Sequence, residues 1–346
     1  MKRFLAAAAV SLFAAATFAQ RISVHGTQFE ENGKPIWISG ANTPWQHWND
    51  FGGNFDAGWW RDQFHSLHEK HVNATRVWIS CNGDNPSPGI RPDGIVTSPT
   101  PRFWQDLDQL FATAKAERVH LMLALFSFDH TKEGNHNYKS WQAMQSTSEG
   151  RASFVSQYAT PLIKRYGANP YFFAVDVGNE IDWHWDNQKM KQADTVDLIA
   201  RVANAVHKNS RVLVCQGMGT AAKYLSAKYS GNCLSDASLS AHQAGAHVDF
   251  YNIHYYDWVR KWFSSPFEQS PEEMGISGKP AIVGEAPAKG SAGMSIVENY
   301  QKAFAKGWAG FMPWTSNGVD ANGNLADFAS GPEWFFRAHP NLLGGN

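Results

Sequence analysis

Eight short apolar runs, six of them followed by a stretch of helical periodicity, constrain this chain more than any other feature. The runs fall at residues 36–41, 74–79, 121–126, 172–177, 212–216, 250–254, 281–284 and 310–313. Most are built from Val, Ile, Leu, Phe and Ala without clean apolar/polar alternation, the pattern of strands covered on both faces. Between them lie amphipathic stripes: Trp59, Trp60, Phe64 and Leu67; then Phe103, Leu107, Leu110, Phe111 and Ala114; then Phe154, Val155, Tyr158, Leu162, Ile163 and Tyr166; then Val196, Ile199, Val202, Ala203 and Val206. Weaker helical stretches follow at 296–304 and 333–337. Eight strands with helices between them predict a (β/α)₈ barrel, one domain over residues 20–346. A doubly wound open sheet would carry a glycine-rich phosphate turn after its first strand, and Gly40-Ala41-Asn42-Thr43-Pro44 is not one.

Two further regions frame the barrel. Residues 20–33 alternate around a turn signal and read as a small hairpin able to cap the barrel bottom. Ahead of it, Lys2-Arg3 precede an apolar run from Phe4 to Phe18, too short to span a bilayer and closed by small residues. Residues 1–19 therefore read as a secretory signal with cleavage after Ala19, implying a secreted or periplasmic protein. No later stretch reads as transmembrane, and the formal charge of −1 gives no reason to expect nucleic acid or an anionic membrane as partner. The expected state is a monomer. Long segments after the second, third and sixth strands (80–101, 127–150 and 255–280) are the insertions that usually build a cleft on one barrel face.

Fifteen tryptophans are far above ordinary usage, and Trp45, Trp48, Trp183, Trp185, Trp258 and Trp262 fall in such loops. Flat aromatic faces beside a cleft suit planar ligands or the C–H faces of pyranose rings, although a large domain also buries tryptophan simply as core. The three cysteines, Cys81, Cys215 and Cys233, allow one disulfide at most, and Cys215 lies in an apolar run that reads as core. No Cys/His spacing points to zinc, and His68-Glu69-Lys70-His71 lacks the i, i+4 spacing of a metalloprotease helix. Asp320-x-Asn322-x-Asn324 with Asp327 has the oxygen-rich look of a calcium loop, but it lacks the closing glutamate and reads as a turn. No metal or cofactor is expected. Nucleophilic serine chemistry has no GxSxG to rest on.

The chemistry sits where the strands end. The fourth run closes on Asn179-Glu180 and the seventh on Glu285; in a barrel, strand C-termini share one mouth. Asn42, Arg76, Asp129 and His130, Gln216, His254, Tyr256 and Trp314 end the remaining runs. Two carboxylates at such a mouth are what acetal hydrolysis with retention needs. One must be protonated to release the leaving oxygen, and one must be ionised to attack the anomeric carbon, at a spacing of about 5–5.5 Å. Either glutamate alone is as easily a surface carboxylate at a loop start. Together, in register with Arg76 and His254-x-Tyr256, they read as a site. Arg76 beside Glu285 would keep it ionised, an apolar setting would keep Glu180 protonated, and Asn179 would bond a sugar 2-hydroxyl.

These residues, in this order, resemble glycoside hydrolase family 5 of clan A. That family places Arg at strand two, Asn-Glu at strand four, His-x-Tyr at strand six, Glu at strand seven and Trp at strand eight. Here those are Arg76 in Thr75-Arg76-Val77-Trp78, Asn179-Glu180, His254-Tyr255-Tyr256, Glu285 and Trp314. The resemblance implies Glu180 as acid/base and Glu285 as nucleophile. Arg76, Asn179, His254, Tyr256 and Trp314 would contact substrate, as would His130 by a looser match of Asp129-His130 to the family's histidine after strand three; Asn42 is expected beside them from its place at the end of the first strand. It points most closely to endo-β-1,4-mannanases acting on a polysaccharide or oligosaccharide. A β-1,4-glucanase or exo-β-mannosidase on the same fold, and a non-catalytic carbohydrate-binding barrel, remain as alternatives.

Overall fold

Three N-terminal strands, β1 (Ile22–His25), β2 (Gln28–Glu31) and β3 (Lys34–Ile36), form an antiparallel sheet in the computed structural model, which describes residues 21–84, 87–186 and 190–344. The expected signal segment, residues 1–19, lies outside the described residues. Where the sequence reads as a hairpin, a third strand is present. Pro35 is tolerated because β3 is an edge strand that needs no donor there. Trp37 then turns the chain into the barrel, its backbone N–H on Leu342 O (2.7 Å) and its indole N–H on Trp308 O (2.7 Å).

The barrel strands are β4 (Ile38–Asn42), β5 (Ala74–Trp78), β6 (His120–Ala124), β7 (Phe172–Asn179), β8 (Leu213–Met218), β9 (Tyr251–His254), β10 (Ala281–Glu285) and β11 (Gly310–Phe311). Every neighbouring pair is parallel, and β11 closes the ring by pairing with both β10 and β4. All residues of these strands are buried, which is why the sequence shows continuous apolar runs instead of alternation. Helices cover the outside. Ala57–Glu69 buries Trp60, Phe64 and Leu67 and is capped by Asp56; Pro101–Ala116 buries all five residues of its stripe behind the Thr100 cap. Gln192–Asn209 does the same with Val196, Ile199, Val202, Ala203 and Val206. The third stripe is not one regular helix: Ser148–Phe154 passes through a π turn at Val155–Ala159 into Thr160–Tyr166, because Pro161 has no N–H to continue the ladder.

The antiparallel sheet seals the barrel bottom, as the sequence anticipates. Phe29 is fully buried with its ring edge-on to Phe173 (5.4 Å) and Phe250 (5.2 Å), among Ile22, Ile36, Met122 and Ile282. Arg21 donates to the carbonyls of Gly167 and Asn169 (2.9 Å each), and His120 pairs with Glu31 across the seam (3.0 Å). Cys81, Cys215 and Cys233 are all free thiols, so the one permitted disulfide does not form. Cys215 is buried in this lower layer.

Candidate active site

The other end of the barrel opens into a cleft of about 440 Å³, walled by Trp45, Trp48, Trp78, Trp183, Trp258 and Trp314. Glu180 and Glu285 lie at its floor, with Asn179, Tyr256 and Asp129 beside them. One oxygen of each glutamate lies within 4.8 Å of the other and of a His254 ring nitrogen. The two carboxyls therefore face one another at a separation suited to attack on one carbon from one side and proton delivery from the other.

Their settings differ. Glu285 ends β10, and its Oε1 accepts from Arg76 Nη1 (2.6 Å) while Oε2 accepts the Tyr256 hydroxyl (3.0 Å). Arg76 is fully buried. Its Nε donates to Asp176 Oδ2 (2.7 Å), its Nη2 to Asn179 Oδ1 (2.9 Å) and its Nη1 also to Asn42 Oδ1 (3.3 Å). Asp176 further accepts the Gly217 N–H (2.8 Å), so a buried guanidinium is held by strands β4, β7 and β10 together. Burial pushes the Glu285 carboxyl above its ordinary range, against the opposing pull of His254 and Arg76. Arg76 thus offsets desolvation at Glu285 without overcoming it, a smaller effect than the sequence argument assumed.

Among the described residues no lysine or arginine is in direct contact with Glu180. It follows β7 in the left-handed region (φ 48°), a conformation that strains a glutamate and fixes where its side chain points. Its Oε1 pairs with His254 Nδ1 (2.8 Å) and its Oε2 accepts the Trp183 indole N–H (2.6 Å). Burial pushes its pKa up to about 7, opposed by the Trp183 hydrogen bond and by Arg76. His254 is buried and held down to about 4, chiefly by burial, so its imidazole is neutral at pH 7. With carboxylate oxygens of Glu180 (2.8 Å) and Glu285 (3.4 Å) both against Nδ1, that nitrogen is assigned the proton and bridges the pair.

Of the residues singled out in the sequence, Glu180, Glu285, Asn179, Tyr256 and Trp314 line the cleft, while Arg76 and His254 lie directly behind the two carboxyls. Asn42 and His130 do not reach it. Asn42 is fully buried, its amide N–H₂ on Gly284 O (2.8 Å) and Met312 O (3.0 Å) and its oxygen on Arg76; it braces the arginine instead of touching substrate. His130 is buried against Phe126 and Trp141, with Nε2 on the Ser80 hydroxyl (2.9 Å), and burial holds it down to about 3. Its neighbour Asp129 lines the cleft in its place. Gln216 likewise faces inward, donating to Gly217 O (2.8 Å) and Gly178 O.

The loop tryptophans divide. Trp45, Trp48, Trp183 and Trp258 line the cleft; Trp185 is core, its indole N–H on Thr195 (3.1 Å); Trp262 is exposed beyond the cleft edge, under Lys261. The loops 127–150 and 255–280 supply wall residues, whereas 80–101 contributes none among those described. The oxygen-rich segment is a turn. Asp320 Oδ1 accepts the Asn322 N–H (2.8 Å), Oδ2 accepts the Trp314 indole N–H (2.5 Å), and Asn324 with Asp327 caps the helix Leu325–Phe328. Asp320 is therefore a site residue that the sequence reading passed over, as is Asp176.

Two groups of described residues bring possible metal-ligating atoms within 4.8 Å of one another. One is Glu180, His254 and Glu285, in which Glu285 is already paired with the Arg76 guanidinium. In the other, the rings of His207 and His247 stack at 4.2 Å and 16° beside Asp249, so their lone pairs run side by side instead of converging on one ion. Asp249 instead accepts the N–H of Val214 (2.7 Å) and His207 Nε2–H (2.9 Å).

No family model matches the chain. Two curated relatives are similar along most of its length. A mannan endo-1,4-β-mannosidase of Cryptopygus antarcticus is 22% identical over 334 residues, covering 86% of this chain and 84% of its own. One of Mytilus edulis is 23% identical over 359 residues, covering 91% and 93%. The crystal structure of β-1,4-D-mannanase from Cryptopygus antarcticus superposes with a TM-score of 0.81 at 21% identity, over 91% of this chain and 94% of that one. The β-mannanase of blue mussel gives 0.82 at 20%, over 94% and 99%. At these identities the structural likeness establishes the fold.

Proposed function

We propose that this chain is an exported endo-β-1,4-mannanase, a retaining member of glycoside hydrolase family 5, with Glu285 as nucleophile and Glu180 as acid/base. The observation that carries the reading is the facing pair itself, two carboxyls within 4.8 Å at the floor of an aromatic cleft and in unlike surroundings. The choice of mannan is supported by relatives that carry that activity in their names and align over more than four-fifths of both chains.

In the first step Glu285 attacks the anomeric carbon while Glu180 protonates the departing glycosidic oxygen. Arg76 and Tyr256 each hold one Glu285 oxygen, fixing the carboxylate in its attacking orientation. A pKa near 7 keeps a substantial fraction of Glu180 protonated at neutral pH, as a general acid requires. Forming the glycosyl ester removes the negative charge of Glu285. Its like-charge repulsion on Glu180 vanishes with it, and Glu180, which has given its proton to the leaving group, stays ionised and takes a proton from the incoming water. Asn179, fixed by Arg76 at the cleft floor, is placed to bond a sugar hydroxyl, and the Trp314 indole, pinned by Asp320, offers a ring face to the sugar.

A reducing-sugar assay on mannan, glucomannan and carboxymethyl-cellulose tests the reading. Release from mannan as mixed oligosaccharides is the expected result. Release from carboxymethyl-cellulose alone would make it a glucanase, mannose as sole product an exo-enzyme, and binding without release a lectin-like barrel.

A further inference from the structure

Both oxygens of Glu180 carry a protein donor, and the two donors face different ways. Oε1 is turned inward to His254, whose side chain is fully buried, and through it to Glu285. Oε2 is turned to the cleft wall, where the Trp183 indole N–H reaches it at 2.6 Å. A proton bound for a glycosidic oxygen in the cleft leaves from Oε2, so Trp183 holds the working oxygen.

The indole is itself held in place. It sits on the 3₁₀ turn Ile181–His184 that follows Glu180, with Trp258 against it at 5.3 Å. Gly219 packs beneath: a Cβ there would lie 2.6 Å from Trp183 Nε1 and 3.0 Å from Glu180 Cδ, so only glycine lets the loop approach so closely. Asp182 binds that loop to the turn by accepting from the N–H groups of Gly219 (3.1 Å) and Thr220 (2.7 Å) and from the Thr220 hydroxyl (2.5 Å). Loop, turn and indole form one bracket around the Glu180 carboxyl.

We propose that Trp183 is a positioning residue for the acid/base: its N–H fixes the orientation of Glu180 Oε2. The inference rests on the glycosidase reading above. A hydrogen bond donated to a carboxylate stabilises the charged state and opposes burial, which acts the other way on Glu180. The titratable groups facing Glu180 are Arg76 on β5, Asp129 after β6, Asp176 on its own strand, Asp182 in the following turn, His254 and Tyr256 at the end of β9, and Glu285 on β10. Trp183→Phe alters none of them. It keeps a ring against Trp258 and removes the N–H.

The test is the pH dependence of kcat/KM on mannan for Trp183→Phe, together with a carbon-13 NMR titration of the Glu180 carboxyl. The expected result is an upward move of both the alkaline limb and the carboxyl titration by about one pH unit, the worth of one hydrogen bond to a charged group. Trp183→Leu, which also removes the N–H and leaves the Gly219 loop untouched, should move both the same way and serves if Trp183→Phe does not fold. An unmoved limb and titration in a folded variant overturn the proposal, including the case where KM alone rises because the ring is only a sugar platform. A wild-type protein that cleaves no β-glycan would instead sink the glycosidase reading, and the NMR titration would still decide whether Trp183 and Glu180 are coupled.

Discussion

The two ends of this barrel are built on opposite principles. At the bottom, Phe29 packs edge-on against the stacked rings of Phe173 and Phe250 under a three-stranded cover, and His120 pairs with Glu31 at the seam. At the top, Arg76, Asp176 and Glu285 are buried beside the partly exposed Glu180, and the fold accepts a left-handed glutamate. The bottom stabilises by removing apolar surface from water. The top is costly to bury and is tolerable because Arg76 pairs with Asp176 and Glu285 and every carboxyl there is hydrogen-bonded. Stability and chemistry are thus separated along one axis, with Arg76 as the point where they meet.

Substitutions at the two ends should separate the same way. The largest effect belongs to Glu285→Gln, which keeps shape and most contacts but removes the attacking charge. Turnover of mannan should fall by about 10⁴-fold or more, with the thermal unfolding midpoint essentially kept. Arg76→Met should breach the separation. It leaves Asp176 and Glu285 buried without their cation, and should cost about 3–5 kcal/mol in urea unfolding as well as activity. Phe29→Ala is the converse of the first variant, losing about 3–5 kcal/mol of stability to a cavity at the seal while leaving kcat/KM unchanged. A drop in activity there, measured where the variant is still folded, would show that the bottom is coupled to the site.

The smallest effect is on pH. With Glu180 as the proposed proton donor, its pKa raised to about 7, kcat/KM should decline as pH rises through about 7. Its folded-state value is raised above the ordinary 4.5, so its share of stability is full below that pH and is lost as pH rises toward 7. Glu180→Gln should remove that part of the stability profile, which differential scanning calorimetry at stepped pH would reveal.

The barrel was legible because strands buried on both faces write continuous apolar runs, and only strand ends interrupt them with reactive side chains. Glu180, Glu285, Arg76 and His254-x-Tyr256 stood out for that reason. Asp176 was hidden in plain view: an aspartate amid Val175 and Val177 is tolerable in a buried strand only with a cation, yet the partner lies a hundred residues away. Between Asp129 and His130, adjacent in sequence, the choice of which faces the cleft depends on how the short helix Phe128–Thr131 turns after β6, and one step of chain reverses it. The same holds for Trp183 and Trp185, two residues apart on one turn, the first at the cleft and the second in the core. Asn42 has the residue type of a sugar ligand, and only the surrounding carbonyls reveal it as a brace.

Double displacement across one anomeric carbon is the centre of this account, and the anomer released first reports on it directly. Proton NMR of early mannan hydrolysis should show β-configured reducing ends appearing before mutarotation brings in the α form. Initial appearance of the α anomer would mean a single displacement by water, and the roles given to Glu285 and Glu180 would be contradicted.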